Sequence, residues 1–365
     1  MFLQTLTLTM TLALAAGGEA GAPPAVLALV TAPWATHSEL VQLGEVSARG
    51  RFEHTAGAAV RGAVVPGGGV VAVADTSPRR DLSFAASLFV LADGHAARRL
   101  CDEVVHASRP FVSPEGRVFV VRGAAGQESD GSRLRDDFLR DDFLRVDEID
   151  LQTGVARTQH RFTGQLLHFA GWYDGALLVY RVDGDSVDIV AVDPRGGSVR
   201  TVLADLPPFA RDFSVDATRG ELVFLNRDEA DPLRWHVLGL DLRGGSLRSL
   251  GETDSVRVGP FASGGAVHVA GPTGALARIG GRGPDPHSPC AELGSPDDPS
   301  GRSAASCGDV LRLASADGRW TAGLHHRPGA LPRPFVLEAA SGRATLLPAA
   351  GGWVELLGFA AEVTP

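Results

Sequence analysis

The feature that most restricts what this chain can fold into is a repeat. A unit of roughly 40 to 55 residues recurs along it, a period typical of solenoids, propellers and other arrays. Three copies are clearest. Residues 111–122 (Phe111-Val-Ser-Pro-Glu-Gly-Arg-Val-Phe-Val-Val-Arg122) lead to Val146-Asp-Glu-Ile-Asp-Leu-Gln-Thr-Gly154. Residues 169–181 lead to Val187-Asp-Ile-Val-Ala-Val-Asp-Pro-Arg-Gly-Gly197, and residues 213–225 lead to Trp235-His-Val-Leu-Gly-Leu-Asp-Leu-Arg-Gly-Gly245. The same plan recurs at 64–94 and 313–342, with a degenerate copy at about 256–280.

Within each unit, short runs of Val, Leu, Ile and Phe are bounded by Gly, Asp and Pro, which is how strands and their turns read. The runs are nearly continuous rather than alternating, so both faces of each strand are expected to be covered. Asp-Gly and Gly-Gly steps supply the positive φ that tight hairpins need. No stretch keeps apolar residues at helical spacing, so the chain is expected to be all-β. Frequent Gly (45) and Pro (23) suit many short strands joined by many turns.

The Ser113-Pro114-Glu115-Gly116 turn and the Asp150-Leu151-Gln152-Thr153-Gly154 turn resemble the PD40 (WD40-like) repeats of TolB-like propellers and of prolyl-oligopeptidase-type peptidase propellers. Asp317-Gly318 and Asp241-Leu242-Arg243-Gly244-Gly245 match more loosely. The resemblance implies a β-propeller. Six units lie between about 60 and 348. Val354–Ala361 resembles a first strand, while Ala25–Thr31 and Glu39–Gly44 resemble later strands of a blade. Pairing the two ends would hide both open edges, so seven blades are expected, with a closing blade shared between the termini. Six or eight stay open because 256–310 is irregular.

Phe2–Ala16 is an uncharged, mostly apolar run followed by small residues, the pattern of an export signal, with possible cleavage after Ala15 or Ala22. It lacks a basic n-region and is short for a membrane span. The expectation is a signal peptide over 1–22, a single propeller domain over 23–365, a periplasmic or secreted location, no transmembrane segment and a monomer. Of the three cysteines, Cys290 and Cys307 bracket a loop rich in Pro, Ser, Gly and Asp, and an exported chain would close it with a disulfide. Cys101 reads as a small buried apolar residue. Net charge is −9 and every basic residue is Arg, so no basic footprint for nucleic acid is evident.

Candidate chemistry is sparse. The tandem Arg135-Asp-Asp-Phe-Leu139 and Arg140-Asp-Asp-Phe-Leu144 gathers Asp136, Asp137, Asp141 and Asp142, which could attract Ca²⁺ or a basic partner, although the spacing matches no known Ca²⁺ loop. A solvated insertion is the plainer reading. His325 and His326 are adjacent, and strand neighbours point to opposite faces. The five tryptophans, about one per unit, read as packing between blades. His168, His236 and His268 are scattered singly. No Gly-x-Ser-x-Gly elbow, His-Glu-x-x-His, phosphate loop or dinucleotide fingerprint is present. The leading expectation is a non-enzymatic envelope scaffold that binds a protein, peptide or glycan. The alternative is a lactonase- or phosphoesterase-like hydrolase with a metal in the central channel, where Asp212, Asp254 and Glu355 would converge.

Overall fold

The computed structural model describes residues 23–360, except 44–46, 77–85, 93–94, 106–107, 124–142, 164–165, 207–208, 229, 232–233, 254–259, 264–265, 271–275, 280–285, 288, 291–307, 316 and 328. The chain is all-β among these residues. It begins with β1 (Val26–Thr31), β2 (His37–Leu43) and β3 (Ser47–Glu53). A first meander follows, β4 (Val60–Val64), β5 (Val70–Asp75), β6 (Ala86–Leu91) and β7 (Arg98–Val104). Next come β8 (Phe111–Val112), β9 (Val118–Gly123), β10 (Phe143–Ile149) and β11 (Ala156–Thr163). The third meander is β12 (Leu166–Tyr173), β13 (Ala176–Asp183), β14 (Ser186–Val192) and β15 (Val199–Leu203). The fourth is β16 (Arg211–Asp216), β17 (Glu221–Arg227), β18 (Trp235–Asp241) and β19 (Leu247–Thr253). After β20 (Phe261–Ser263), β21 (Ala266–Ala270) and β22 (Leu276–Ile279) come β23 (Gly308–Ala314), β24 (Trp320–His326), β25 (Arg333–Glu338) and β26 (Ala344–Leu346). The last strand, β27 (Trp353–Phe359), returns to the start of the chain and pairs antiparallel with β1.

These strands make five separate blade-like sheets and one curled eight-stranded sheet. The eight-stranded sheet joins β4–β7 to β8–β11 through one residue pair, Val104 with Arg122. Arg122 explains the join. Its Nε donates to the Asp102 carbonyl at 2.9 Å, and its guanidinium meets the buried Asp147 carboxylate at 3.1 Å. The end of β7 is thereby held on β9 instead of turning into solvent.

Composition follows position within each sheet. Second and third strands are buried on both faces: Val70–Ala74 of β5, Leu177–Tyr180 of β13 and Leu222–Asn226 of β17 show almost no exposure. Fourth strands such as β7, β15 and β19 present Arg to solvent. Apolar clusters fill the gaps between successive sheets, and one lies between the two halves of the eight-stranded sheet. The inner strands β27, β4, β8, β12, β16, β20 and β23 stand in a closed ring, with Phe111 packing on Phe169 and Trp172 at the β8–β12 step.

The turn between third and fourth strands repeats in molecular detail. The amide of Gly154, Gly197, Gly245 or Gly342 donates to the carbonyl of Asp150, Asp193, Asp241 or Glu338 at 2.7–2.8 Å. In the three Asp turns a carboxylate oxygen also accepts an amide two residues on. The glycines take φ near +70°, and at Gly154 a Cβ would lie 2.7 Å from the Leu100 carbonyl. No helix of the described residues is long and apolar enough to cross a membrane.

Leu356 on β27 is 2% exposed, packed between the first and last sheets, whereas Leu247 on the outer strand β19 is 41% exposed. Leu356→Ala should cost about 2–5 kcal/mol in urea unfolding, and Leu247→Ala no more than about 0.5 kcal/mol.

Candidate functional site

Beside the closing pair lies a cleft of about 550 Å³. Its walls come from the β1–β2 turn (Ala32, Pro33, Trp34), the segment before β4 (Gly57–Ala59), Leu331, and the start of β27 (Trp353, Val354); Arg61 and Glu355 also line it. Trp34 is 81% exposed and Trp353 56% exposed. Trp34 holds φ at +62°, a left-handed conformation that a bulky side chain adopts only when its surroundings impose it. Two features brace the stems of this turn. Thr31 Oγ1 and Ser38 Oγ lie 2.6 Å apart, and Ser38 Oγ lies 2.9 Å from His54 Nε2, a buried chain that ties the two stems of the turn. Gly352 also approaches so closely that a Cβ there would meet the Thr31 carbonyl at 2.5 Å.

Arg61 and Glu355 belong equally to a charged cluster built on the inner strands. Glu355 Oε1 lies 2.6 Å from Arg109, and its other oxygen 3.9 Å from Arg61. Arg312 on β23 lies 3.8 Å from Asp212 on β16, which Arg211 holds at 2.6 Å. Asp212 has φ of +56°. Enclosure among the strands pulls the Arg312 pKa below the ordinary guanidinium value, and Arg109 adds repulsion; Asp212 and Glu355 oppose the shift, while Arg61 adds to it. Arg312 therefore senses Arg61, Arg109, Asp212 and Glu355 together. Asp212 and Glu355 do approach one region, as the sequence allowed, but guanidiniums stand between and around them. Asp254 lies outside the described residues.

A second cluster is buried. Cys290, Asp309 and His325 place ligand-type atoms within 4.8 Å of one another. Cys290 is disulfide-bonded, so its sulfur is not a thiolate available to a metal. The other contacts describe a structural tie. Asp309 accepts from the Cys290 amide at 2.8 Å and meets His325 Nδ1 at 2.6 Å, while Arg327 Nε donates to His325 Nε2 at 3.0 Å. Arg327 as donor makes Nε2 the acceptor and Nδ1 the protonated nitrogen.

The remaining candidates are dispersed. Asp136, Asp137, Asp141, Asp142 and Cys307 lie outside the described residues. His236 bonds Asp228 at 2.8 Å on a third strand. Cys101 is a free cysteine, half-buried, and burial pushes its thiol up to about 11. Trp172 and Trp235 pack as expected, but Trp34 and Trp353 do not: they are exposed around the cleft. One Trp per repeat concealed this, because the two exposed ones sit at the chain ends that pair.

His168 on β12 and His268 on β21 are held below the ordinary imidazole pKa, chiefly by burial, and Arg278 adds to the effect at His268. Both are lowered relative to the unfolded chain, so the neutral forms stabilise the fold above about pH 6.5, and that contribution is lost as pH falls through their folded values. Urea unfolding at pH 7.5 and pH 5 should show stability falling with acid, and His168→Gln with His268→Gln should flatten that fall.

No protein-family profile matches the sequence, and no curated protein does. Solved structures do match. One from a study of two prolyl endopeptidases aligns with a TM-score of 0.54 at 12% identity, over 91% of this chain and 50% of that one. A Mycobacterium tuberculosis puromycin-hydrolyzing peptidase aligns with a TM-score of 0.52 at 16% identity, over 89% and 54%. TolB from Acinetobacter baumannii aligns with a TM-score of 0.48 at 12% identity, over 92% and 67%. The chain spans about half the length of the two peptidases, and identities this low speak to fold alone. The fold is that of a β-propeller, as the sheet arrangement and the alignment with the two peptidase structures show.

Proposed function

We propose that this chain is an exported, non-enzymatic binding scaffold whose partner, a protein or peptide of the cell envelope, seats a short segment in the cleft beside Trp34 and Trp353. The observation that carries this reading is the display of Trp34 at positive φ, largely exposed, on a turn braced from beneath. Exposed aromatics in a concave, mostly apolar wall are what binding surfaces use as anchors. Peptide is favoured over glycan. The wall offers Thr31, Arg61 and Glu355 as its polar side chains, too few to match the hydroxyls of a sugar ring.

Export is supported by the apolar run Phe2–Ala16 and by the disulfide at Cys290. We take its partner to be Cys307, closing the loop between them. We count the eight-stranded sheet as two blades, for seven in all, a reading supported by the apolar cluster between its halves.

Glu355 and Asp212 favour this reading over a metal hydrolase, because each already faces a guanidinium. Thermal unfolding of the mature protein is expected not to move with EDTA or with excess Ca²⁺. A saturating rise with Ca²⁺ would instead favour a metal site, with Asp136, Asp137, Asp141 and Asp142 tested first by substitution.

The binding reading is tested by selecting short peptides from a displayed library against the wild-type protein. Selected peptides should lose about thirtyfold or more in affinity, the scale of a Trp anchor, with Trp34→Ala or Trp353→Ala. Failure to select any binder, or binders indifferent to both substitutions, would refute it.

A further inference from the structure

We propose that the cleft and the charged cluster form one site, and that the group it takes is the free C-terminal carboxylate of a peptide with an apolar or aromatic last residue. This rests on the cleft being a peptide site, and it adds the identity of the end that enters.

Arg61 and Glu355 are the junction, lining the cleft and belonging to the cluster at once. The order of exposure in the cluster decides the sign of the ligand. Arg61, Arg109 and Arg312 are 46%, 42% and 36% exposed, whereas Glu355 and Asp212 are 12% and 18% exposed. A visiting group therefore meets guanidiniums, with the carboxylates behind them. Among the described residues, with Arg211 included, four guanidiniums stand against two carboxylates, an excess of positive charge.

Donors are also left over. Among the described residues Arg61 and Arg312 each meet a carboxylate only at 3.9 Å and 3.8 Å, too long for a hydrogen bond. Arg109 is the member that engages Glu355 closely. Arg61 lines the cleft and lies near enough to Arg312 to repel it, so a planar carboxylate reaching them would meet N–H groups that no close carboxylate engages. Enclosure of Arg312 strengthens such a pairing, and a bound anion would return its pKa upward.

The shape argues for a chain end. The inner strands contact one another around a closed ring, so a peptide that continued past the cluster would have to thread it. A terminal carboxylate reaches the cluster with nothing beyond it. The last side chain would then rest on the wall formed by Leu29, Val60, Val354 and Trp353, and the preceding residues would pass Trp34.

The test follows tryptophan emission of the mature protein titrated with N-acetylated peptides ending in leucine or phenylalanine, each as the free acid and as the amide. The acid is expected to bind about tenfold or more tightly than the amide, the scale of a lost charge-assisted hydrogen bond. Arg61→Leu and Arg312→Leu should each weaken the acid about tenfold and leave the amide unchanged, removing the difference. Trp34→Ala should weaken both forms equally. Arg61→Lys retains the charge and should keep part of the preference, which serves if a leucine variant unfolds. Equal binding of acid and amide would overturn the carboxylate site while leaving the cleft as a peptide site. A preference for the acid that survives all three Arg variants would also overturn it. An amidated peptide with a glutamate side chain matching the free acid would replace the chain end by an acidic side chain. Tighter binding of an oligouronate than of any peptide would replace the peptide by an acidic glycan. Binding of neither form would defeat both the carboxylate site and the peptide reading on which it stands.

Discussion

A ring built from sheets must dispose of the two strand edges at its ends, and here the pairing of β27 with β1 does so. The register runs from Val26 opposite Phe359 to Thr31 opposite Trp353. Backbone groups that would face water or another chain are satisfied within the molecule. The same pairing fixes the geometry of the cleft. It sets Trp353 and Glu355, near one end of the chain, beside Trp34 on the β1–β2 turn and Arg61 on β4. Without it the first and last sheets would lose their shared cluster of Val26, Ala28, Val354, Leu356 and Phe359.

Packing around the ring is largely apolar on both faces of the middle strands, where the few buried charges are paired, as Asp147 is with Arg122 and Asp188 with Arg181, and most other charge lies on the outer and inner strands. Outside, Arg pairs with carboxylates, as at Arg51 with Glu53 on β3, in contacts that set orientation more than stability. Near the inner strands the balance differs. Glu355 and Asp212 are little exposed and would be costly to leave unpaired, so Arg109 and Arg211 hold them closely. Arg61 and Arg312 then remain with weaker partners. The positive character of this region follows from that unequal pairing, in a chain whose net charge is −9.

Much of the fold was legible in the sequence because it is local. Asp150–Gly154, Asp193–Gly197 and Asp241–Gly245 each specify a turn by their own side chains and glycines, and the runs between them specify buried strands. The return of Val354–Phe359 to Val26–Thr31 was legible as well, since two orphan strand signals at opposite ends suit one blade. The fused sheet was not legible: it depends on Arg122 reaching Asp102 and Asp147, contacts with no local signature. The charged cluster was hidden for the same reason, being gathered from β27, β4, β16, β23 and the segment before β8. Asp212 and Glu355 were visible as candidates for convergence, but the intervening Arg61, Arg109 and Arg312 were not distinguishable from surface arginines. Likewise Trp34 and Trp353 matched a packing pattern by spacing, and only the exposed turn separates them from Trp172 and Trp235.

The terminal strands form one structural unit with the ring and so hold the site together. Native-state hydrogen exchange on β27 measures this directly. The amides within Val354–Phe359 that donate to β1 are predicted to exchange as slowly as those of Leu27–Val30, with both sets opening only at the free energy of global unfolding. Fast exchange across Val354–Phe359, with β1 still protected, would mean that the last strand frays independently, and the account of ring closure and of the cleft built upon it would be wrong.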